Sequence, residues 1–345
     1  MNSRVEKLLS KLEEPLIVTT PANVGYLTGF VSSNVSVVVE PERVRLFTDF
    51  RYATAARGVP DVEFVETERE TIAHLAESLS GRFGFESTHL TYANYEQLRD
   101  GGLDLVSRSG LVESLRAVKD EDELEKIRRA AAITDRAFER MAEERFVGRT
   151  ERELAWQMTL FLREFGAEAE AFETIVAAGA NGARPHADPG DHVIEADTLV
   201  VVDGGSVADG YCSDCTRTFA TGELPDELLR AYEVCLEAQR KGLEAARSGA
   251  KAKQTDAAAR SLIEEAGFGE SFGHGLGHGV GIDVHEAPRV SATSTDSLVA
   301  NNVVTIEPGI YLEGKGGVRI EDLVIVTDAE PEVLYGFPKE LVKVS

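Results

Sequence analysis

Short β-branched runs and amphipathic stripes alternate along the first 110 residues. Arg4 to Leu12 carries helical spacing, while Leu16 to Thr19, Val35 to Val39 and Val44 to Phe47 read as strands. Helices are predicted from Tyr52 to Arg57 and from Thr71 to Leu79, and Leu103 to Val106 reads as a closing strand. This alternation predicts a compact α/β unit. It clusters no His, Asp and Glu together, so it reads as scaffold or partial lid. Between Ser114 and Lys119 the pattern changes. Asp120 with Glu123 three residues on forms a capping box, and Leu124, Ile127, Ala131, Phe138 and Met141 follow the 3-4 spacing of a buried helical stripe, with Arg128, Arg129 and Glu139 opposite. A second capping box, Thr150 with Glu153, opens a helix bearing Leu154, Met158, Phe161, Leu162 and Phe165. Two further helices are predicted, from about Asp226 to Ala246 and from Thr255 to Ala266. The expected domains are residues 1–115 and 116–345.

Two stretches of the second region read as β-hairpins, each carrying a pair of acids. In Thr198 to Phe219, the run Val200, Val201, Val202 predicts one strand and Tyr211 to Phe219 the other, with Ala208, Asp209 and Gly210 turning between them. Asp203 and Asp214 lie symmetrically about that turn and are expected to face each other across the ladder. Like charges so placed require a protonated partner, a different register or a cation between them. In Val303 to Val326 the device recurs. Glu307 and Glu321 flank a turn at Gly314, Lys315, Gly316 and Gly317. Four carboxylates match the charge of two divalent cations, and His278 offers an imidazole to complete the site. The order helix, helix, hairpin thus occurs twice, and an internal two-fold would bring the acid pairs together at the seam.

Composition narrows the function classes. A formal charge of −24, from 60 acidic against 36 basic residues, disfavours a nucleic-acid partner. Only ten of those basic residues are lysines, and an acid-rich, lysine-poor surface suggests adaptation to high salt. No apolar run approaches the length of a membrane helix and the start of the chain shows no signal-peptide core, which points to a soluble cytoplasmic protein. Cys212, Cys215 and Cys235 are too few for a disulfide framework, and the CxxC of the first two has no second CxxC to build a zinc cage, so they read as packing residues. His74, His89 and His192 read as structural. His274 and His278 have zincin spacing, yet Gly275 stands where the glutamate is required and the surrounding glycines oppose a helix. The same glycines never satisfy GxGxxG.

At DGG and CSDCTRT, at GHGVG, and at IEPG and RIED, the chain resembles the pita-bread metallopeptidases, in the aminopeptidase P and prolidase branch that cleaves Xaa-Pro bonds. The resemblance spans nearly the whole chain. NVGYLTGF from Asn23 to Phe30 and FTDFRY from Phe47 to Tyr52 look like that family's creatinase-like N-terminal α/β domain, an addition that methionine aminopeptidases generally lack. It implies a pita-bread catalytic domain, giving an α/β (α+β) chain overall, in which Asp203, Asp214, His278, Glu307 and Glu321 are the five metal ligands. It also implies roles beside the metals. Glu307 would be the general base, His285 and His186 would bind substrate and shuttle protons, Arg319 would orient a ligand carboxylate, and Phe172 and Ile175 would line the prolyl pocket. The hard ligand set favours two manganese ions over zinc and leaves cobalt and iron open. The implied partner is a small peptide with proline second, and the implied assembly a homodimer. Two alternatives stand beside this: a hydrolase or lyase of the same fold acting on a non-peptide substrate, and a non-catalytic peptide-binding module.

Overall fold

A computed structural model describes residues 2–345 and divides the chain into two compact units, Met1–Arg116 and Ala117–Ser345. In the first, six strands form one sheet: β1 (Leu16–Val18), β2 (Val35–Glu40), β3 (Arg43–Asp49), β4 (Glu63–Thr67), β5 (Gly81–Glu86) and β6 (Leu103–Arg108), in the order β4-β3-β2-β1-β5-β6. Helices α1 (Ser3–Leu9), α2 (Pro21–Thr28), α3 (Ala53–Ala56), α4 (Thr71–Ser78), α5 (Tyr92–Asp100) and α6 (Leu111–Arg116) complete it. Strand β1 runs antiparallel to β2 and parallel to β5, so this sheet is mixed. The strands β4 and β5 and the helices α2, α5 and α6 were not resolved by periodicity, because Glu63–Thr67 and Tyr92–Asp100 carry few apolar residues and Pro21–Thr28 is buried nearly all round.

In the second unit the sequence folds as its stripes dictate. The helix α7 (Glu121–Met141) begins at the Asp120 and Glu123 capping box, with both reciprocal bonds formed, and buries Leu124, Ile127, Ala131, Phe138 and Met141. Helix α8 (Glu151–Glu164) begins at the equivalent box of Thr150 and Glu153. After it come β7 (Ala169–Glu170), β8 (Ile175–Ala178) and the first hairpin: β9 (Leu199–Gly204), β10 (Ser206–Ala208), β11 (Tyr211–Cys212) and β12 (Cys215–Ala220). Helices α9 (Asp226–Ala245) and α10 (Ala252–Glu265) follow, then β13 (Gly277–Gly279) and β14 (Glu286–Val290). The second hairpin comprises β15 (Val303–Ile306), β16 (Gly309–Leu312), β17 (Gly316–Arg319) and β18 (Asp322–Ile325), with β19 (Glu332–Val333) and β20 (Val342–Lys343) at the end. Two helices followed by a hairpin therefore occur twice. Strands order as β20-β12-β9-β8 in one sheet and β14-β13-β15-β18-β19 in another.

The first hairpin departs from its expected register. Thr216, not Asp214, lies opposite Asp203, and the pairing Ala208 with Tyr211 leaves a two-residue loop of Asp209 and Gly210. Both loop residues have positive φ, 48° and 75°, as in a type I′ turn, whose twist matches that of the strands. The loop is Asp209 and Gly210 rather than Ala208–Gly210, and the partner of Asp203 lies two residues beyond the one expected. The strand expected from Tyr211 to Phe219 is likewise broken, at Ser213 and Asp214, where the hairpin passes from one sheet to another. The second hairpin keeps its expected register. The pairs Ile306 with Asp322 and Gly309 with Arg319 belong to one unbroken alignment, in which Glu307 falls opposite Glu321.

Candidate metal centre

Three adjacent strands set the floor of the site. Ile175 of β8 and Thr216 of β12 both pair with Asp203 of β9, so their side chains share one face of the sheet. Asp214 sits in the break of the hairpin, outside any strand. His278 enters from β13, and its flanking glycines are required there: a Cβ at Gly277 would lie 1.9 Å from the Thr305 carbonyl oxygen, and one at Gly279 would lie 2.2 Å from that of Ala287. Only a bare backbone lets β13 lie this close to its neighbours. Glu307 and Glu321 occupy the break between the two ladders of the second hairpin.

The TRT triplet joins the hairpins to each other. Glu321 N–H donates to the Thr216 carbonyl at 3.1 Å, Arg319 N–H donates to Thr218 Oγ1 at 3.1 Å, and Arg217 Nη1 donates to the Glu321 carbonyl. Arg217 is itself anchored on the buried Asp322, at 2.8 Å. Asp214, His278 and Glu321 thereby bring one ligand atom each within 4.8 Å of one another. His278 Nε2 lies 3.5 Å from Asp214 Oδ2 and 3.2 Å from Glu307 Oε1. Thr216 Oγ1 donates to Glu321 Oε2 at 2.7 Å, and Thr305 Oγ1 donates to Glu307 Oε1 at 2.9 Å. Arg319 donates from Nη2 to Asp203 Oδ2 at 2.6 Å and from Nε to Thr216 Oγ1 at 3.0 Å.

Burial raises Asp203, Asp214 and Glu321 above ordinary carboxylate values; neighbouring carboxylates add to this in all three, and Arg319 opposes it. Burial acts on Glu307 too, but the hydrogen bond and charge of His278 outweigh it and bring that carboxyl down to about 2. The protonated His278 ring is disfavoured by burial, while Glu307, the Gly279 carbonyl and Asp203 together favour it, and the net direction is upward. Four buried carboxylates cannot all be ionised together without positive charge among them. Asp203 Oδ1 and Glu321 Oε1 are buried and accept no hydrogen bond, which leaves one hard oxygen donor free on each hairpin. The residues present fit divalent cations.

The other predicted residues fall around this cluster. The His285 ring centroid lies 4.3 Å from that of His278, and burial, then His278, then His186 hold it below the usual imidazole value, against Glu307. His186 is exposed, in the segment after the 3₁₀ turn Gly179–Ala183. Ile175 and Phe172 are half-buried; Ile175 stands beside Asp203, and the Phe172 ring edge lies 3.0 Å from where a Cβ on Gly205 would be. Cys212, Cys215 and Cys235 are buried thiols, and Cys212 Sγ donates to the Ile282 carbonyl at 3.4 Å. Sequence reasoning passed over two groups. His274, set aside with the zincin spacing, donates or accepts at 3.0 Å with the Tyr311 hydroxyl, and Arg319 Nη1 also donates to that hydroxyl at 3.0 Å. This chain of bonds leads from Asp203 through Arg319 to His274. No linear spacing reveals it, since it depends on how the segment before β13 meets Tyr311 of β16.

Residues 125–328 match the profile of metallopeptidase family M24, and residues 4–118 match that of the creatinase/prolidase N-terminal domain. An Xaa-Pro dipeptidase of Pyrococcus furiosus is 35% identical to this chain, with 99% of this chain and 100% of the relative covered. Among solved structures, an Xaa-Pro dipeptidase from Bacillus anthracis superposes with a TM-score of 0.95 at 36% identity, covering 99% of each chain. An X-Pro aminopeptidase from Thermotoga maritima superposes with a TM-score of 0.90 at 34% identity, covering 99% of this chain and 100% of the other.

Proposed function

The chain belongs to metallopeptidase family M24, and from that premise we propose that it is a dinuclear-metal exopeptidase hydrolysing the bond between an N-terminal residue and a following proline. The observation that carries the reading is the convergence of Asp214, His278 and Glu321 with Asp203 and Glu307, two of whose buried oxygens accept no hydrogen bond. Those five residues would hold the cations. When bound, divalent cations at such a donor set supply Lewis acidity, which lowers the pKa of water and draws charge from a scissile carbonyl. Hard oxygen donors favour manganese.

The chain's own groups divide the remaining work. Glu307, whose Oε1 lies 3.2 Å from His278 Nε2, is the carboxylate assigned to accept a proton from the attacking water. The prolyl nitrogen carries no hydrogen before cleavage and must gain one to leave as an amine. His285, whose ring centroid lies 4.3 Å from that of His278, can donate a hydrogen bond to the tetrahedral oxyanion, and with the exposed His186 it can return a proton to nitrogen. Arg319 fixes the rotamer of Asp203. Phe172 and Ile175 offer an apolar wall to the prolyl ring.

The similar proteins include both a dipeptidase and an aminopeptidase. Assays of an Xaa-Pro dipeptide, a longer Xaa-Pro peptide and non-proline controls, each with manganese, cobalt and zinc, separate these specificities. We expect release of proline or of the N-terminal residue with about two metal equivalents bound, and Asp214→Asn lowering the rate about a hundredfold or more. Equal rates in Asp214→Asn, or full activity with fewer than two equivalents, would overturn the reading. A homodimeric, cytoplasmic, salt-adapted enzyme completes it, and light scattering of the eluting protein tests the dimer.

A further inference from the structure

We infer that Tyr335 is the positioning residue of Asp214, standing in for the strand partner which that aspartate lacks. The inference rests on the metal-centre reading. Asp214 lies where β11 has ended and β12 has not begun, so no ladder satisfies its backbone. Both of its backbone groups instead bind one phenol. Asp214 N–H donates to Tyr335 Oη at 3.1 Å, and the Tyr335 hydroxyl donates to the Asp214 carbonyl at 2.7 Å. A hydroxyl has one proton to give and lone pairs to accept with, so a single atom can serve both groups.

The phenol is a rigid reference point. Tyr335 is buried in the core of the second unit, with the Arg217 guanidinium 6.0 Å from its ring centre. Its segment is pinned on both sides: Leu334 N–H donates to the Leu323 carbonyl at 3.0 Å, and the N–H groups of Gly336 and Phe337 donate to the Asp135 carboxylate of α7 at 3.1 and 2.8 Å. Asp214 is therefore held by a group tied to both β18 and α7. Freed from strand alternation, its carboxylate reaches to 3.5 Å from His278 Nε2. Tyr335 lies beyond residues 125–328, where the match to the family profile ends.

The test uses full-length Tyr335→Phe, which deletes only the hydroxyl, beside Tyr211→Phe, which deletes another buried hydroxyl, one that donates to Glu123 Oε1 at 2.8 Å. Metal-free proteins are titrated with manganese chloride by calorimetry and melted without metal. Tyr335→Phe is expected to lose about tenfold to a hundredfold in affinity for at least one manganese equivalent, as removal of a group that orients a ligand does. Tyr211→Phe is expected to keep wild-type affinity while losing a comparable amount of metal-free Tm. Wild-type affinity in Tyr335→Phe, an equal loss in both variants, or a metal-free Tyr335→Phe that is unfolded where the wild type is folded would each overturn the inference. A wild-type chain that takes up no manganese overturns the metal-centre reading itself, and this inference with it.

Discussion

Thr216 joins two members of the site and lies opposite a third. Its hydroxyl donates to Glu321 and accepts from Arg319, and its backbone pairs with that of Asp203 across the ladder. Thr216→Val keeps the shape and removes the hydroxyl, and kcat/KM with a proline-containing dipeptide is expected to fall about tenfold to a hundredfold with the far-ultraviolet circular dichroism unchanged; full activity would refute the role. Gly277 is as constrained as any side chain. An alanine there would drive its Cβ to 1.9 Å from the Thr305 oxygen, whereas a Cβ at Gly273 would meet nothing within 4 Å. Gly277→Ala is expected to cost about 3 kcal/mol in urea unfolding and Gly273→Ala much less than that, with equal losses counting against the packing argument. At this scale Asp214, His278 and Glu321, whose ligand atoms lie within 4.8 Å of one another, were singled out in the sequence because only certain side-chain atoms can hold a cation. His274 and Tyr311 were not, since their link to Arg319 is made by side chains meeting across strands.

At the scale of elements, the capping boxes were written locally and formed as written. Asp120→Ala is expected to cost about 1 kcal/mol, read from the shift in the urea midpoint, because the Glu123 N–H at the start of α7 loses its acceptor. Strand β3 ends on Asp49, whose fully buried side chain accepts from Arg51 at 2.7 Å and Asn34 at 2.5 Å. The Arg51 bond first, with Asn34 helping against burial, holds this carboxyl well below the usual range. A depressed folded-state value means the contribution is complete above the ordinary carboxylate pKa of about 4 and is lost as pH falls below it. The stability of the wild type is expected to drop more steeply than that of Asp49→Asn between about pH 4 and pH 2, and parallel curves would remove Asp49 from the account. The two hairpins show why register was half legible. Asp209-Gly210 is itself a two-residue turn signal, and reading it as such places Thr216 opposite Asp203. In the second hairpin the loop is residues 313–315, centred on Gly314 with φ of 73°, whereas Gly316 and Gly317, expected in the turn, belong to β17 and pair with Leu312 and Tyr311.

Over the whole molecule, a charge of −24 is spread on a chain many of whose ion pairs, such as Arg57 with Glu66 and Lys343 with Glu223, are solvent-exposed. Exposed pairs contribute little each, so self-repulsion is the term that salt changes most. Raising potassium chloride from about 0.1 to about 1 M, across which the screening length falls from about 10 to about 3 Å, is expected to raise the Tm; a flat or falling Tm would reject salt adaptation. Among the described residues no helix is long and apolar enough to cross a membrane. By itself the sequence determined which stretches are helices with buried stripes and where α7 and α8 begin, because caps and periodicity act over a few neighbouring residues. Only the tertiary structure decided that Thr216 and not Asp214 opposes Asp203, that Arg217 and Arg319 bind one hairpin to the other, and that Tyr335, 121 residues away, holds Asp214. Those outcomes depend on turn geometry and on contacts between distant strands, which exist only once the chain has closed on itself.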